Sequence, residues 1–490
     1  MREWTRDEIQ RIGYQVVDLI ADHLTQLPSA SVFRPVPPEL QEHFHSTPAP
    51  AAGESPDAIL REFRDTIAPF PFGNGHPRFW GWVNSPPSLM GIFGDALAAA
   101  MNPSCAGGNH AAIYVERQVV GWFRDLLGLP HEAKGLLVSG GSMATLTALA
   151  VARHVKCGVD VRADGLRGAA QPFAFYLSPE SHGCVRKAIE LLGFGSASIR
   201  TIPIDDDYRM NVAALDTALA GDRANHVTPI AVVASAGTTN TGAIDDLAAI
   251  ADTCRRHQVW LHVDAAYGGP AILTDAYVDR LRGLAAADSV ALDPHKWLFV
   301  PVEAGLVFVR DAEAMRSAFS LVPPYLRTDG SLTGVGGPIW FSEFGFQQTR
   351  GFRALKVWMA MKEFGLAGYK AAIEANVALA AYLADCVRAA PDLELTAPPG
   401  LSVVCFRVAG RSNEDEGAIA AVNRTVLDRL QLGGEAFLSG TELRGRFTLR
   451  ACIVNYRSTQ RDIDRMLSAV RAIGRELVDR SSAALREAPE

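Results

Sequence analysis

From about residue 90 to 310 the sequence alternates short apolar runs with longer stretches of helical period. The short runs are Leu136–Val138, Phe173–Leu177, Ile230–Ala234, Trp260–Val263, Val290–Leu292 and Leu306–Val309. Strand-like runs separated by helical runs mean βαβ units and a mostly parallel sheet. Open sheets of that kind bind ligands in the crevice beyond the carboxyl ends of their strands. The residues that follow each run are therefore the first candidates for chemistry.

The chain has 490 residues. That is too long for one simple core and predicts two or three lobes. We expect an N-terminal helical segment over 1–75, a large domain over 76–355 and a small α/β domain over 356–490. Thr5-Arg-Asp-Glu8 has the form of a capping box. After it Ile9, Ile12, Val16, Ile20 and Leu24 fall on one helical face, and Pro28 ends the helix. Residues 29–56 read as an extended linker, and a second amphipathic helix follows from Pro56 to Ile67. These pieces make a poor core alone. Their apolar faces need another surface, on the large domain or on a second subunit. Near the other end, a long helical stretch begins at about residue 352. The small lobe should contain the strands Leu401–Val408 and Phe447–Val454 and the helix Arg461–Leu477.

Two stretches carry most of the chemical signal. In Ser-Val-Ala-Leu-Asp-Pro-His-Lys-Trp, Lys296 sits among apolar neighbours, although only seven of the 47 basic residues are lysines. Burial disfavours the ammonium form, and a lysine of depressed pKa is a nucleophile able to form a Schiff base. Upstream, Val259-Trp-Leu-His-Val-Asp264 is a strand run ending in an acid, which either faces the ligand crevice or caps the turn at Gly268 and Gly269. Pyridoxal phosphate needs such a pair, a lysine for its aldehyde and a carboxylate for its pyridine nitrogen.

His-Val-Asp-Ala-Ala-Tyr-Gly-Gly followed by Asp-Pro-His-Lys-Trp resembles the pyridoxal-dependent amino-acid decarboxylases, the group that includes aromatic-L-amino-acid, histidine and glutamate decarboxylases. The likeness runs from about Arg6 to about Arg471. It implies the aspartate-aminotransferase-like α/β fold, pyridoxal-phosphate fold type I, with a large seven-stranded sheet domain. It also implies a homodimer with active sites at the subunit interface.

Other motifs fall into place beside it. Ser139-Gly-Gly-Ser142 lies between a strand and a helix, where backbone N–H groups attract a phosphate. Gly141 and Ser142 match the family's phosphate cup, although Met143 stands where many members carry Glu. His182 is a structural histidine or, by resemblance, the one that stacks on the cofactor ring. Ala266 suits the opposite ring face. Thr239 either makes a turn or is the family's cofactor threonine. Asp293 and His295 are placed near the phosphate or the lysine. The loop His76 to Ser88 is aromatic and rich in proline. By resemblance it lines the substrate side through Trp82, Val83 and Ser85, and with Trp80 it suggests an apolar pocket.

One departure concerns the outcome of the reaction. A mobile loop of the family reaches the neighbouring site and carries a tyrosine held to protonate the substrate carbon. Counting back from Arg350-Gly-Phe-Arg353 puts Phe341 there, with Tyr325 a weaker candidate for the same role. Its glycines (Gly330, Gly334, Gly336, Gly337) fit a lid. Decarboxylation to an amine is the first expectation. Oxidative conversion to an aldehyde, with ammonia and peroxide, is the alternative opened by Phe341. An aminotransferase is a further one.

Composition excludes other classes. A net charge of −7 gives no basic field for nucleic acid. No apolar run reaches the length of a membrane span. The polar N-terminus is unlike a signal peptide. Seven scattered cysteines without Cys-x-x-Cys spacing argue against zinc and against a disulfide framework. The reading is a cytoplasmic enzyme whose substrate is an L-amino acid, an aromatic one by the resemblance and the apolar loop, with no metal.

Overall fold

The computed structural model describes residues 3–73, 75–322, 333–410 and 415–487. Eleven strands are described. The large sheet contains β1 (Lys134–Val138), β2 (Phe173–Leu177), β3 (Ile199–Thr201), β4 (Thr228–Ser235), β5 (Trp260–Asp264), β6 (Ser289–Leu292) and β7 (Gly305–Val309). Their order is β1-β7-β6-β5-β4-β2-β3. All six expected strands form, and β3 is added at one edge.

Direction matters more than order. The pairs β2–β3, β2–β4, β4–β5 and β5–β6 are parallel. β7 runs antiparallel to both β6 and β1. Two reversals restore the direction, so β1 points the same way as β6. The carboxyl ends of β1, β2, β4, β5 and β6 therefore share one edge, where ligands bind in such sheets. The central strands are buried along nearly their whole length, as expected of a sheet covered on both faces. β7 enters that edge at Gly305. A Cβ there would lie 2.4 Å from the Gly140 Cα, so glycine is required for β7 to pass beneath the first turn.

The chain forms two compact units. One consists of Val83–Ala381 and Ala397–Val404 and holds the large sheet. The other consists of Met1–Trp82, Tyr382–Thr396 and Cys405–Glu490. A four-stranded sheet has the order β10-β11-β9-β8, from β8 (Leu393–Leu395), β9 (Val403–Val408), β10 (Ser439–Leu443) and β11 (Arg446–Cys452).

The capping box opens the first helix, Arg6–Gln26: Glu8 N–H donates to Thr5 Oγ1 at 3.3 Å and Thr5 N–H to Glu8 Oε2 at 2.9 Å. This helix buries no residue, and Ile9 and Tyr14 are more than half exposed. The 29–56 linker needs correction, because Pro38–Ser46 is helical. Proline at the first helical position has no N–H to lose and is preset in φ, so Pro38 starts this helix instead of breaking it. The expected second helix is Pro56–Glu62, extended by a wider π turn over Phe63–Ile67. The long helix Arg353–Ala389 breaks at Gly365, whose φ of 63° lies in the left-handed region. Among the described residues, no helix is long and apolar enough to cross a membrane.

Candidate active site

The shared edge of the large sheet holds a cleft of about 340 Å³. Each flank comes from a different strand end. After β1 the chain turns through Gly140, at φ 148°, into the 16-residue helix Gly141–Lys156. Gly141 has no room for a side chain, since a Cβ would lie 2.9 Å from Asp293 Oδ2 and 3.2 Å from the Ala266 methyl. The unpaired N–H groups of that helix start and the Ser142 side chain line the cleft. After β2, His182 caps the helix Gly183–Leu191. After β4 a tight turn presents Thr239, which also lines the cleft. Buried Asp245 holds that turn by accepting N–H groups from Ser235 at 2.8 Å and Met210 at 2.7 Å. Asp264 ends β5, and its Oδ1 accepts the Ala266 N–H at 3.1 Å. After β6 come Asp293, His295 and Lys296.

Lys296 Nζ lies 2.9 Å from Asp293 Oδ2. Burial works against its ammonium, but the charges of Asp293 and Asp264 outweigh burial and hold its pKa above the ordinary lysine value. The depressed pKa expected from the apolar sequence context is therefore corrected. The neighbours that decide it are carboxylates brought close by the fold, not the residues next in sequence. His182 Nδ1 accepts the Cys184 N–H at 3.2 Å. With Nδ1 an acceptor, the neutral ring carries its proton on Nε2. His295 Nδ1 lies 2.7 Å from the Ala304 carbonyl, which fixes its ring beside the lysine turn.

Every residue assigned to the cofactor by sequence lines this one cleft: Gly141, Ser142, His182, Thr239, Asp264, Ala266, Asp293, His295 and Lys296. Cys184 and Tyr267 also line it. Tyr267 lies inside the Asp264 motif. Its ring stacks on Trp297 at 5.1 Å and its hydroxyl meets Ser402 Oγ at 2.6 Å. Burial, with Asp264 nearby, pushes the Cys184 thiol up to about 11, so it is no ready nucleophile.

The substrate-side residues divide. Ser85 Oγ donates to the His295 carbonyl at 3.3 Å, which seats it beside the lysine turn. Val83 is buried and is not among the side chains lining the cleft. Trp82 belongs to the other unit, where its half-exposed ring stacks on Phe72 at 5.1 Å. Trp80 is fully buried there and donates Nε1–H to Ser458 Oγ at 3.0 Å, so it is a core residue and not a pocket wall.

Phe341 is 1% exposed and does not line this cleft. Its ring lies 5.0 Å from the Arg350 guanidinium and 5.3 Å from that of Arg117. Arg350 is paired with Glu116, both essentially buried, and also donates to the Cys105 and Leu137 carbonyls. The segment around Phe341 is tied down further. Ser342 N–H donates to the Ala106 carbonyl and Asn109 N–H to that of Gly334. Tyr325 and Gly330 lie outside the described residues.

The cleft fits pyridoxal phosphate on its own chemistry. It offers an amine at Lys296, a carboxylate at Asp264 and a glycine-rich helix start suited to an anion. Asp293 Oδ1 is buried with no hydrogen-bond partner, a polar atom left for a further group to satisfy.

The comparisons agree with that chemistry. A family profile described as the pyridoxal-dependent decarboxylase conserved domain matches residues 37–409. The aromatic-L-amino-acid decarboxylase of Bacillus atrophaeus is 35% identical over 473 residues, 96% of this chain and 96% of that protein. The L-2,4-diaminobutyrate decarboxylase of Rhizobium meliloti (strain 1021) is 34% identical, over 88% of this chain and 84% of that protein. Among solved structures, Oryza sativa TDC with PLP and tryptamine has a TM-score of 0.89 at 28% identity, covering 98% of this chain and 100% of that one. Fold and cleft define a pyridoxal-phosphate enzyme of fold type I. The chain belongs to the pyridoxal-dependent decarboxylases, carboxy-lyases that act on amino acids with pyridoxal 5'-phosphate as cofactor.

Proposed function

We propose that this enzyme removes the carboxyl group of an aromatic L-amino acid and releases the amine. The convergence of Lys296, Asp264 and His182 on one cleft carries the reaction. The relative and the structure cited for aromatic chemistry carry the substrate class. Among the charged side chains lining the described cleft, Asp264 and Lys296 serve the cofactor and Asp293 serves the Lys296 amine, so none is left over for a distal charge on the substrate.

In this reading Lys296 is the attachment point and Asp264 faces the pyridine nitrogen. The helix start at Gly141 and Ser142, with Thr239 and His295, holds the phosphate, and Asp293 holds the Lys296 amine in place. When bound, the cofactor supplies an electron sink for the bond pair left behind by carbon dioxide. The chain's own residues do the rest. His182 lays its ring over the cleft with its proton on Nε2, where it can donate to a substrate carboxylate. Ala266 leaves the opposite side open. Ser85, seated beside the lysine turn, remains our choice for the substrate side. A catalytic part for Phe341 would be played in a partner's cleft.

The test is a product balance in air with Trp, Tyr, Phe and Dopa as substrates, and His, Glu and 2,4-diaminobutyrate as controls. We expect amine equal to carbon dioxide, no peroxide, and preference for an aromatic substrate. Aldehyde and peroxide matching carbon dioxide would replace this reading with oxidative decarboxylation, and Phe341→Tyr should then restore amine. Preference for 2,4-diaminobutyrate would overturn the substrate class.

We further propose a homodimer working in the cytoplasm, with 1–75 as its dimerising segment. The first helix leaves Ile9, Tyr14 and Val17 exposed. Within the large unit, the helix Leu89–Met101 exposes Leu89, Leu97 and Met101. Such apolar faces mark interaction surfaces. All seven cysteines are free, which suits a reducing compartment. Sedimentation should give twice the chain mass, falling to one chain mass in Leu97→Asp. A monomeric wild type would end this part of the proposal.

A further inference from the structure

His262 lies at the centre of β5 and is fully buried. Strand alternation puts it on the same face as Asp264, two residues on. The reaction as described gives it no part. Its hydrogen bonds nevertheless form a series. The Trp260 indole donates Nε1–H to Ser289 Oγ at 2.8 Å. Ser289 Oγ also meets His262 Nδ1, at 2.9 Å. The other ring nitrogen, Nε2, faces Thr145 Oγ1 at 3.3 Å. The ring stays neutral because burial pushes its pKa down to about 4.

Thr145 carries the series to the cleft. It is buried in the first turns of the helix Gly141–Lys156, three residues beyond Ser142. The series thus begins in the core between β5 and β6 and ends on the helix start that carries Ser142. Ser289, His262 and Thr145 are each at most 1% exposed, so water cannot replace a lost partner.

We propose that His262 is a positioning residue for the cofactor cleft. Through Thr145 it sets the helix start that carries Ser142. The inference rests on the assignment of Ser142 to the cofactor.

The test uses two substitutions of one side chain in the full-length protein. Thr145→Val keeps the shape and deletes the hydroxyl; Thr145→Ser keeps the hydroxyl. Protein stripped of cofactor is titrated with pyridoxal phosphate and followed by the absorbance of the bound form. Thr145→Val should weaken binding about tenfold, while Thr145→Ser stays within about threefold of wild type, the scale of one buried hydrogen bond broken or kept. His262→Leu should match Thr145→Val. The double variant should be no weaker than either single, because both cut the same series. If His262→Leu fails to fold, the two Thr145 variants still decide. Thr145→Val with wild-type affinity, even at a lower melting temperature, would reduce His262 to a structural role and overturn the proposal. A wild type that takes up no pyridoxal phosphate would overturn the cofactor assignment itself.

Discussion

Lys296→Ala is expected to lose both the absorbance band of bound cofactor and carbon dioxide release, the latter by about 10⁴-fold or more, the scale on which removing a covalent catalytic group acts. Lys296 supplies the only amine among the side chains lining the described cleft. Its removal also leaves Asp293, 2% exposed, without the cation 2.9 Å away. Lys296→Arg separates the two effects. It keeps a cation for Asp293 but cannot join to an aldehyde, so it should restore thermal stability and not turnover. The raised pKa of Lys296 adds a pH dependence with a definite sign. The amine must lose its proton before it can react, so cofactor uptake by stripped protein should quicken as pH rises towards that pKa. Asp293→Asn removes one of the charges that raise it and should move this profile to lower pH. Retained absorbance and turnover in Lys296→Ala would place the attachment point elsewhere.

Part of the fold was legible because its strands are covered on both faces. Ile230–Ala234 and Val290–Leu292 are continuous apolar runs, and the sheet buries them fully. β3, Ile199–Thr201, is a three-residue edge strand with no buried position, so it leaves no such run. The reversal of β7 was equally hidden, since Leu306–Val309 reads alike in either direction. The helix Pro38–Ser46 buries nothing and is entered through two prolines, which in sequence read as marks of a linker.

In the site, what was legible is what backbone and motif fix together. Gly141, Asp264 and Lys296 each follow a strand end, and the shared edge brings them together. What stayed hidden depends on partners distant in sequence. The hold of Asp245 on Ser235 and Met210 leaves no local pattern to read. Phe341 was placed by counting from Arg350. Counting could not reveal that the Arg350–Glu116 pair lies against its ring, 234 residues of sequence separating the two partners. The direction of the Lys296 pKa failed for the same reason.

Asp264→Asn is the second large effect expected, a fall of about 10²- to 10³-fold in kcat with KM little changed, as for removal of a preorganised charge from an active site. Asp264 is held from both sides, in register with Ser235 of β4 and Ala291 of β6. Its Oδ1 accepts the Ala266 N–H, so the carboxylate cannot swing away without breaking the turn that seats Ala266. Asparagine keeps this acceptor, the side-chain volume and the strand pairing. It deletes the charge alone, and the size of the loss therefore measures the charge. A second readout separates charge from shape. Asp264 is one of the two carboxylates that raise the Lys296 pKa, so Asp264→Asn should also shift cofactor uptake to lower pH. Asp264→Glu keeps the charge but lengthens the side chain against a fixed strand end, and should leave the uptake profile near wild type while still losing turnover. Should Asp264→Asn turn over within about threefold of wild type, its carboxylate would be a turn cap, as the glycines after it first allowed.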